Sequence, residues 1–415
     1  MVGVKLRARH RRPVLLAVGI AFVVLVVLIR LVTLTPPDLQ PRAALPGALR
    51  VPGSSPTPGW PAAGQAALDV PGIGWLGSAG GQAPRPTASL AKVMTAYLTL
   101  AKYPLSATGG GFTLTVTPAE VRIELEDARQ GDSVVPVRAG ERLDERQLLE
   151  ALLIRSGDNI ARMLAEYEAG SVTRFVAEMN DAARAMGMHQ TTYTDPSGLD
   201  PATVSNARDQ VRVFERAMRY PVFRQIVSMP SVTLPVTGTV DNYDPLISEG
   251  YEGKTGSDGQ AAGCLAFFKY LTVAGRRLTL VGVVLGQGTG DLTSVLLGAA
   301  GAAAQRLVTS VAPAIQARTV LPAHTAAMIV TNAAGHRVSA RTAAPLRVIA
   351  WGGLRERLTL RPRALGTDLR AGERVGEAAL AGGLPAPQDG HSHTAVRASA
   401  PLPAPGLLWR LEHLL

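Results

Sequence analysis

The chain has 415 residues, 47% hydrophobic and 18% charged, with a formal net charge of +10. That balance excludes a disordered chain, and the single Cys264 excludes a disulfide framework or a cysteine-rich metal site. The excess of positive charge points to an acidic partner: nucleic acid, an anionic membrane or a cell wall. Arginine supplies nearly all of it, for the only lysines are Lys5, Lys92, Lys102, Lys254 and Lys269. Lysine, unlike arginine, gives up its proton when its surroundings demand it, so so few lysines draw attention to where they are kept.

In chain order, the first feature is a basic flank (Lys5, Arg7, Arg9, Arg11, Arg12) ahead of an apolar run over Val14–Leu34. Its length matches the roughly 20 residues that span hydrocarbon, with Arg30 snorkelling to the outer interface. The basic side then stays cytoplasmic. An uncleaved anchor and a cleaved signal peptide are both open, and either exports the rest of the chain, which removes nucleic acid as a partner. Residues 35–64 are rich in Pro, Ala and Gly and read as a stiff, structureless tether.

Beyond the tether, 66–76 reads as a strand pair and 88–100 as a buried helix carrying Leu90, Val93, Met94, Tyr97 and Leu98. The segment 113–117 alternates as a strand. Helical spacing follows over 146–154, 160–166, 172–186 and 209–219. Residues 265–273 and 277–285 form a hairpin through Ala274-Gly275-Arg276, and 293–308 is an Ala-rich closing helix. The unit 65–310 is therefore α+β, with helices around a mainly antiparallel sheet. After Pro313 come short strands at 327–331, 346–351, 358–360 and 394–398, a smaller all-β domain over 311–415.

Three short motifs carry chemistry. In Ser89-Leu90-Ala91-Lys92, positions i and i+3 share a helix face, so an amine can take the proton of a hydroxyl nucleophile. The start of that helix also places Ser89 at a positive dipole end. Lys254-Thr255-Gly256, followed by Ser257, pairs an amine and a hydroxyl that can bind a carboxylate, with a glycine that lets substrate approach the backbone. Ser156-Gly157-Asp158-Asn159 stands at a break between helices and can aim a hydroxyl and an amide into a cleft; the same residues also cap the helix that follows. Singly, each motif is satisfied by ordinary structure. Their order is more specific: S-x-x-K, a serine loop, then K-T-G is the set found in penicillin-recognising serine enzymes.

The chain resembles the D-alanyl-D-alanine carboxypeptidases, the low-molecular-mass penicillin-binding proteins. The resemblance rests on Arg85-Pro86-Thr87-Ala88-Ser89-Leu90-Ala91-Lys92-Val93-Met94-Thr95-Ala96, on Val137-Arg138-Ala139-Gly140-Glu141, on Phe175-Val176-Ala177-Glu178-Met179-Asn180, on Pro196-Ser197-Gly198-Leu199-Asp200 and on Ala262-Gly263-Cys264-Leu265. It covers 65–310 well and 311–415 loosely. It implies a penicillin-binding/β-lactamase-like catalytic domain followed by a small β domain, with no cofactor. The substrate would be a peptidoglycan stem peptide ending in D-Ala-D-Ala, and β-lactams would act as covalent inhibitors. By the family's pattern Ser89 is the nucleophile, Lys92 the base and Ser156 the proton relay. The backbone N–H groups of Ser89 and Ser257 form the oxyanion hole, and Lys254 and Thr255 hold the terminal carboxylate.

One departure stands out. The family's second motif is serine-x-asparagine, and here the third position is Asp158 with Asn159 after it. Either Asp158 fills the asparagine role or the loop shifts and Asn159 does. Two rivals remain on sequence alone. A β-lactamase needs a deacylating group, and no Glu-x-x-Leu-Asn loop is present. A catalytically inactive wall-binding protein would have Asp158 as its lesion. His391 and His393 fall short of a metal ligand set.

Overall fold

The computed structural model describes residues 11–381, 384–386 and 392–414. Two compact units emerge: Pro56–Ile315, and the residues before Pro56 together with Gln316 onward.

The first unit is built on a five-stranded antiparallel sheet in the order Tyr251–Asp258, Ala262–Val273, Arg276–Gln287, Gln65–Val70, Gly74–Ala79. Its central hairpin turns at Ala274 (φ 49°) and Gly275 (φ 78°), the left-handed pair that matches the twist of the flanking strands. Arg276 already belongs to the returning strand. Ala266, Phe268, Val281 and Val283 join one apolar core with Leu90, Val93, Met94, Leu148, Leu152 and Phe214 from the helices. The alternate strand residues Leu265, Phe267 and Val284 are also fully buried, so the central strands are covered on both faces. The helix Thr293–Val311 packs on these strands.

Helix boundaries follow local chemistry. Asp144 and Gln147 form a reciprocal capping box that starts Glu145–Leu153. Thr117 and Glu120 do the same for Pro118–Gln130, with proline in the first turn. This second helix was not expected from sequence. Its composition is strongly charged and only Glu124 is buried, so apolar periodicity is weak there.

The second unit centres on a seven-stranded antiparallel sheet in the order Gln40–Ala43, Ala326–Thr331, Arg337–Thr342, His393–Ala398, Arg374–Ala381, Arg355–Pro362, Ala48–Arg50. The expected tether over 35–64 is thus corrected: it supplies both edge strands, anchored by fully buried Val51 and nearly buried Leu39. Pro41 is tolerated because an edge strand leaves one row of backbone groups unpaired. The helix Arg11–Thr33 opens this unit, and Leu15–Thr33 is a 19-residue apolar stretch of mean hydropathy 3.0. Its described side chains are mostly exposed, as for an anchor or a signal sequence. Lys5, Arg7 and Arg9 lie outside the described residues, and so does His391. Among the described residues no group of three or more His, Cys, Asp or Glu is placed to hold a metal ion.

Candidate active site

Ser89 lies on a short 3-10 turn, Ala88–Ala91, that runs directly into the helix Lys92–Lys102. The preceding residue, Ala88, is held at φ 46°, a left-handed conformation that costs a non-glycine residue about 1 kcal/mol or more. Such strain persists only where the surroundings enforce it. Here two close approaches do so. A Cβ on Gly198 would overlap the Ala88 carbonyl, and a Cβ on Gly256 would stand 3.0 Å from Ser89 N and from Thr87 O. The glycine of the Lys-Thr-Gly element therefore lets its strand abut the nucleophile turn.

Lys92 is fully buried, and its Nζ has three oxygen partners. It lies 2.8 Å from Ser89 Oγ, 2.6 Å from Asp158 Oδ1 and 3.0 Å from the Ser197 carbonyl. Lys254, from the edge strand Tyr251–Asp258, is equally buried and places Nζ 3.0 Å from Ser156 Oγ and 2.8 Å from the Thr255 carbonyl. Ser156 precedes the helix Asp158–Ala169 with φ 64°. Residues from three distant stretches thus meet in one cluster, with half-buried Ser89 at its most open point. Thr255 is buried beside Lys254, and Ser257 follows on the same strand.

The two candidates at the second motif have different partners. Asp158 faces Lys92, and its Oδ2 accepts the Ser133 N–H at 3.0 Å. Asn159 turns away: its amide exchanges two hydrogen bonds with the Val135 backbone, at 3.0 and 2.9 Å. Asn159 therefore fixes the wall segment 133–135 and does not reach the lysines.

Burial, together with the nearby positive charge of Lys92, pushes the Lys254 amine well below its ordinary value; Asp158 and Asp244 act against this. Asp244 is raised to about 6, chiefly by burial, with the Leu246 N–H and Lys254 opposing. It is 2% exposed, and its Oδ2 has no hydrogen-bond partner. The site thus contains two buried amines and two buried carboxylates.

Two contributors escaped sequence reasoning. Asp244 lies in Asn242-Tyr243-Asp244-Pro245, which reads as any Asx-Pro turn, with no local sign of the lysine it faces. Asp195 stands just before Pro196, outside the three motifs. Its Oδ2 accepts from Ser197 N, Ser197 Oγ, Gly198 N and Leu199 N at 2.7–3.1 Å, the Asx-turn pattern its sequence permits. That carboxylate fixes the loop whose Ser197 carbonyl receives Lys92.

The unit that holds this cluster is similar to known proteins. Residues 76–289 match the family model of the D-alanyl-D-alanine carboxypeptidases, a serine peptidase family. A D-alanyl-D-alanine carboxypeptidase of Mycobacterium tuberculosis is 32% identical over 237 residues, which are 55% of this chain and 76% of that protein. A D-alanyl-D-alanine endopeptidase of Pseudomonas aeruginosa is 33% identical over 150 residues, 36% of this chain and 45% of that one. The crystal structure of the Streptomyces K15 DD-transpeptidase superposes with a TM-score of 0.53 at 27% identity, covering 62% of this chain and 98% of that one. The chain belongs to the D-alanyl-D-alanine carboxypeptidase family.

Proposed function

We propose that the protein is a serine DD-peptidase that removes the terminal D-Ala from peptidoglycan stem pentapeptides through an acyl-enzyme on Ser89. The observation that carries this reading is the hydrogen-bonded set Lys92–Ser89 and Lys254–Ser156 in one buried cluster. Ser89 Oγ attacks the penultimate carbonyl while Lys92 takes its proton. Ser156, on the other amine, passes a proton to the departing D-Ala nitrogen. Water then hydrolyses the ester. Lys254, whose proton is loosely held while the site is empty, binds a carboxylate and holds that proton more firmly once the anion arrives. Thr255 shares that carboxylate.

In this reading the unit 56–315 is the catalytic domain, it acts outside the cytoplasm, and the apolar N-terminal helix anchors it in the membrane. Relatives named endopeptidases favour a second activity, cleavage of D-Ala cross-links. The test is intact-mass analysis after penicillin treatment, with D-Ala release from a pentapeptide and from cross-linked muropeptide dimers measured in parallel. A single adduct located on Ser89, and its loss in Ser89→Ala together with at least ~10³-fold slower release, is expected. An adduct elsewhere, or unchanged release in the variant, overturns the assignment. Turnover of nitrocefin faster than of pentapeptide would make it a β-lactamase.

A further inference from the structure

We propose that the outer face of the seven-stranded sheet is a docking surface for acidic phospholipid headgroups, on the bilayer in which the N-terminal helix is anchored. It rests on that proposed anchoring and adds a second, electrostatic contact to it.

Residues directly opposite one another in an antiparallel sheet share a face, as do alternate residues along a strand. Val338, Ala340, Ala378 and Val396 point into the core and mark the inner face. The register then carries the outer face across all seven strands. Arg42 lies opposite Ile329, and Ile329 opposite Ser339, on the strand that also presents Arg337 and Arg341. Arg341 lies opposite Arg397, and Arg397 opposite Arg374. Farther across, Arg361 lies opposite Glu377, and Arg355, on the same strand as Arg357, lies opposite Arg50. All nine arginines are exposed. Glu377 is the only carboxylate among the described strand residues of that face, and it pairs with Arg374. Arg341 and Arg397 each donate to one backbone carbonyl. The other six make no side-chain hydrogen bond or ion pair among the described residues.

One arginine on a strand is an ordinary solvated residue. Nine on one face, three of them in a row, repel one another, which costs stability. An array of anions offsets that repulsion. Its width, six strand spacings or about 29 Å, suits an extended surface of headgroups. Chain length then selects the bilayer among acidic partners. The apolar helix ends at Thr33 and the edge strand begins at Gln40. Leu39 is already packed in the core of the sheet, with its N–H bonded to the Gly366 carbonyl at 2.9 Å. Fully extended, the chain between Thr33 and Gln40 reaches at most about 25 Å. The sheet is thus held beside the bilayer surface, where acidic lipids attract arginines over about a Debye length.

The experiment uses the full chain inserted in vesicles that carry a nitroxide quencher on some headgroups. A fluorophore is attached at Ser339→Cys, between Arg337 and Arg341; the native thiol, Cys264, is buried and does not compete. Vesicles of phosphatidylcholine alone are compared with vesicles holding about one-third phosphatidylglycerol. Quenching is expected to be about twofold or more stronger on the acidic vesicles. The difference is expected to vanish in ~1 M NaCl, where the Debye length is about 3 Å. Arg337→Gln, Arg341→Gln, Arg374→Gln and Arg397→Gln together are expected to cut it by about half or more, with penicillin acylation of Ser89 unchanged. Equal quenching on the two vesicle types, or a difference that the quadruple variant leaves intact, overturns the proposal. Should that variant not fold, salt decides: a difference that survives ~1 M NaCl overturns it and its loss supports it. A label indifferent to vesicles but shifted by soluble polyphosphate gives the face to a polymer and also overturns it. A chain that fails to float with phosphatidylcholine vesicles defeats the anchoring itself, a separate result.

Discussion

Between Pro56 and Ile315 the chain carries 25 Asp and Glu against 22 Lys and Arg, whereas the other unit carries 7 against 20. The net positive charge of the whole protein therefore belongs entirely to the unit without the Ser-Lys cluster. In the first unit the decisive charges are buried and face one another. In the second they are exposed arginines on strands: Arg337, Arg341, Arg355, Arg357, Arg374 and Arg397 are all exposed. The expectation of an acidic partner, drawn from the overall charge, thus describes one unit only. Left-handed non-glycine residues occur in both units, His324 (φ 59°) in the second, but two of them, Ala88 and Ser156, lie at the Ser-Lys cluster itself.

The largest expected effect tests whether that strain is enforced by close approach. Gly198 (φ 83°) and Gly335 (φ 82°) share a backbone conformation but not surroundings. A Cβ at 198 meets the Ala88 carbonyl and Ala91, while a Cβ at 335 meets nothing within 4 Å. Gly335→Ala is expected to destabilise by about 1 kcal/mol, the conformational penalty alone. Gly198→Ala is expected to lose on the order of 3 kcal/mol and to slow penicillin acylation of Ser89, because the loop must move off the nucleophile turn. Chemical denaturation and acylation kinetics check both. Equal losses in stability, with acylation unchanged at 198, would remove the contrast.

The fold was legible where one local signal sufficed. The spacing of Leu90, Val93, Met94 and Leu98 gave the nucleophile helix, and the small residues Ala274 and Gly275 between two β-rich runs gave the hairpin. The meeting of Ser89, Lys92 and Lys254 followed from motif order and resemblance, since no local rule joins positions so far apart in sequence. What stayed hidden was of two kinds. The strands Gln40–Ala43 and Ala48–Arg50 are short, proline-flanked and polar on one face, so only their partners in the sheet define them. Asp244 matters through a neighbour distant in sequence, and burial cannot be read from an isolated acidic residue. The helix Pro118–Gln130 is different, for its Thr117–Glu120 capping signal was present and was outweighed by weak apolar periodicity.

A smaller effect concerns charge burial away from the Ser-Lys cluster. Glu215 is pushed up to about 8, first by burial, then by a hydrogen bond to Asp69 and its charge; Arg219 and Arg212 oppose this. A carboxyl group with a raised folded-state pKa binds its proton more tightly in the folded chain. Its favourable contribution is complete below the unfolded value near 4.5 and is lost as pH rises through about 8. Glu215→Gln removes that dependence. The melting temperature of the variant, relative to wild type, is therefore expected to improve from pH 6 to about pH 8 and to level off by pH 9. Parallel pH curves for the two proteins would show that this acid is no more coupled to folding than an exposed one.

The smallest effect probes the arginine-rich sheet. Register places Arg341 opposite Arg397, and Arg397 opposite Arg374, so three like charges lie in a row across three strands. Arg374 is relieved by Glu377 at 2.9 Å, whereas Arg341 and Arg397 each donate to a backbone carbonyl, His324 and Gly372. Like charges directly opposite destabilise a strand pair. Arg397→Thr removes the middle charge and installs a residue that suits a strand. It also gives up the bond to Gly372, an exposed contact of little net worth. A net gain of about 0.3 kcal/mol is expected at low salt, and it should shrink in ~1 M NaCl as screening weakens the repulsion it relieves. A loss of stability at both salt concentrations would mean that the guanidinium–carbonyl bond outweighs the charge row. The exposed arginines would then hold this sheet together as the buried ion pair holds the other unit's site, and the contrast between the two units would narrow to the strained residues at the Ser-Lys cluster.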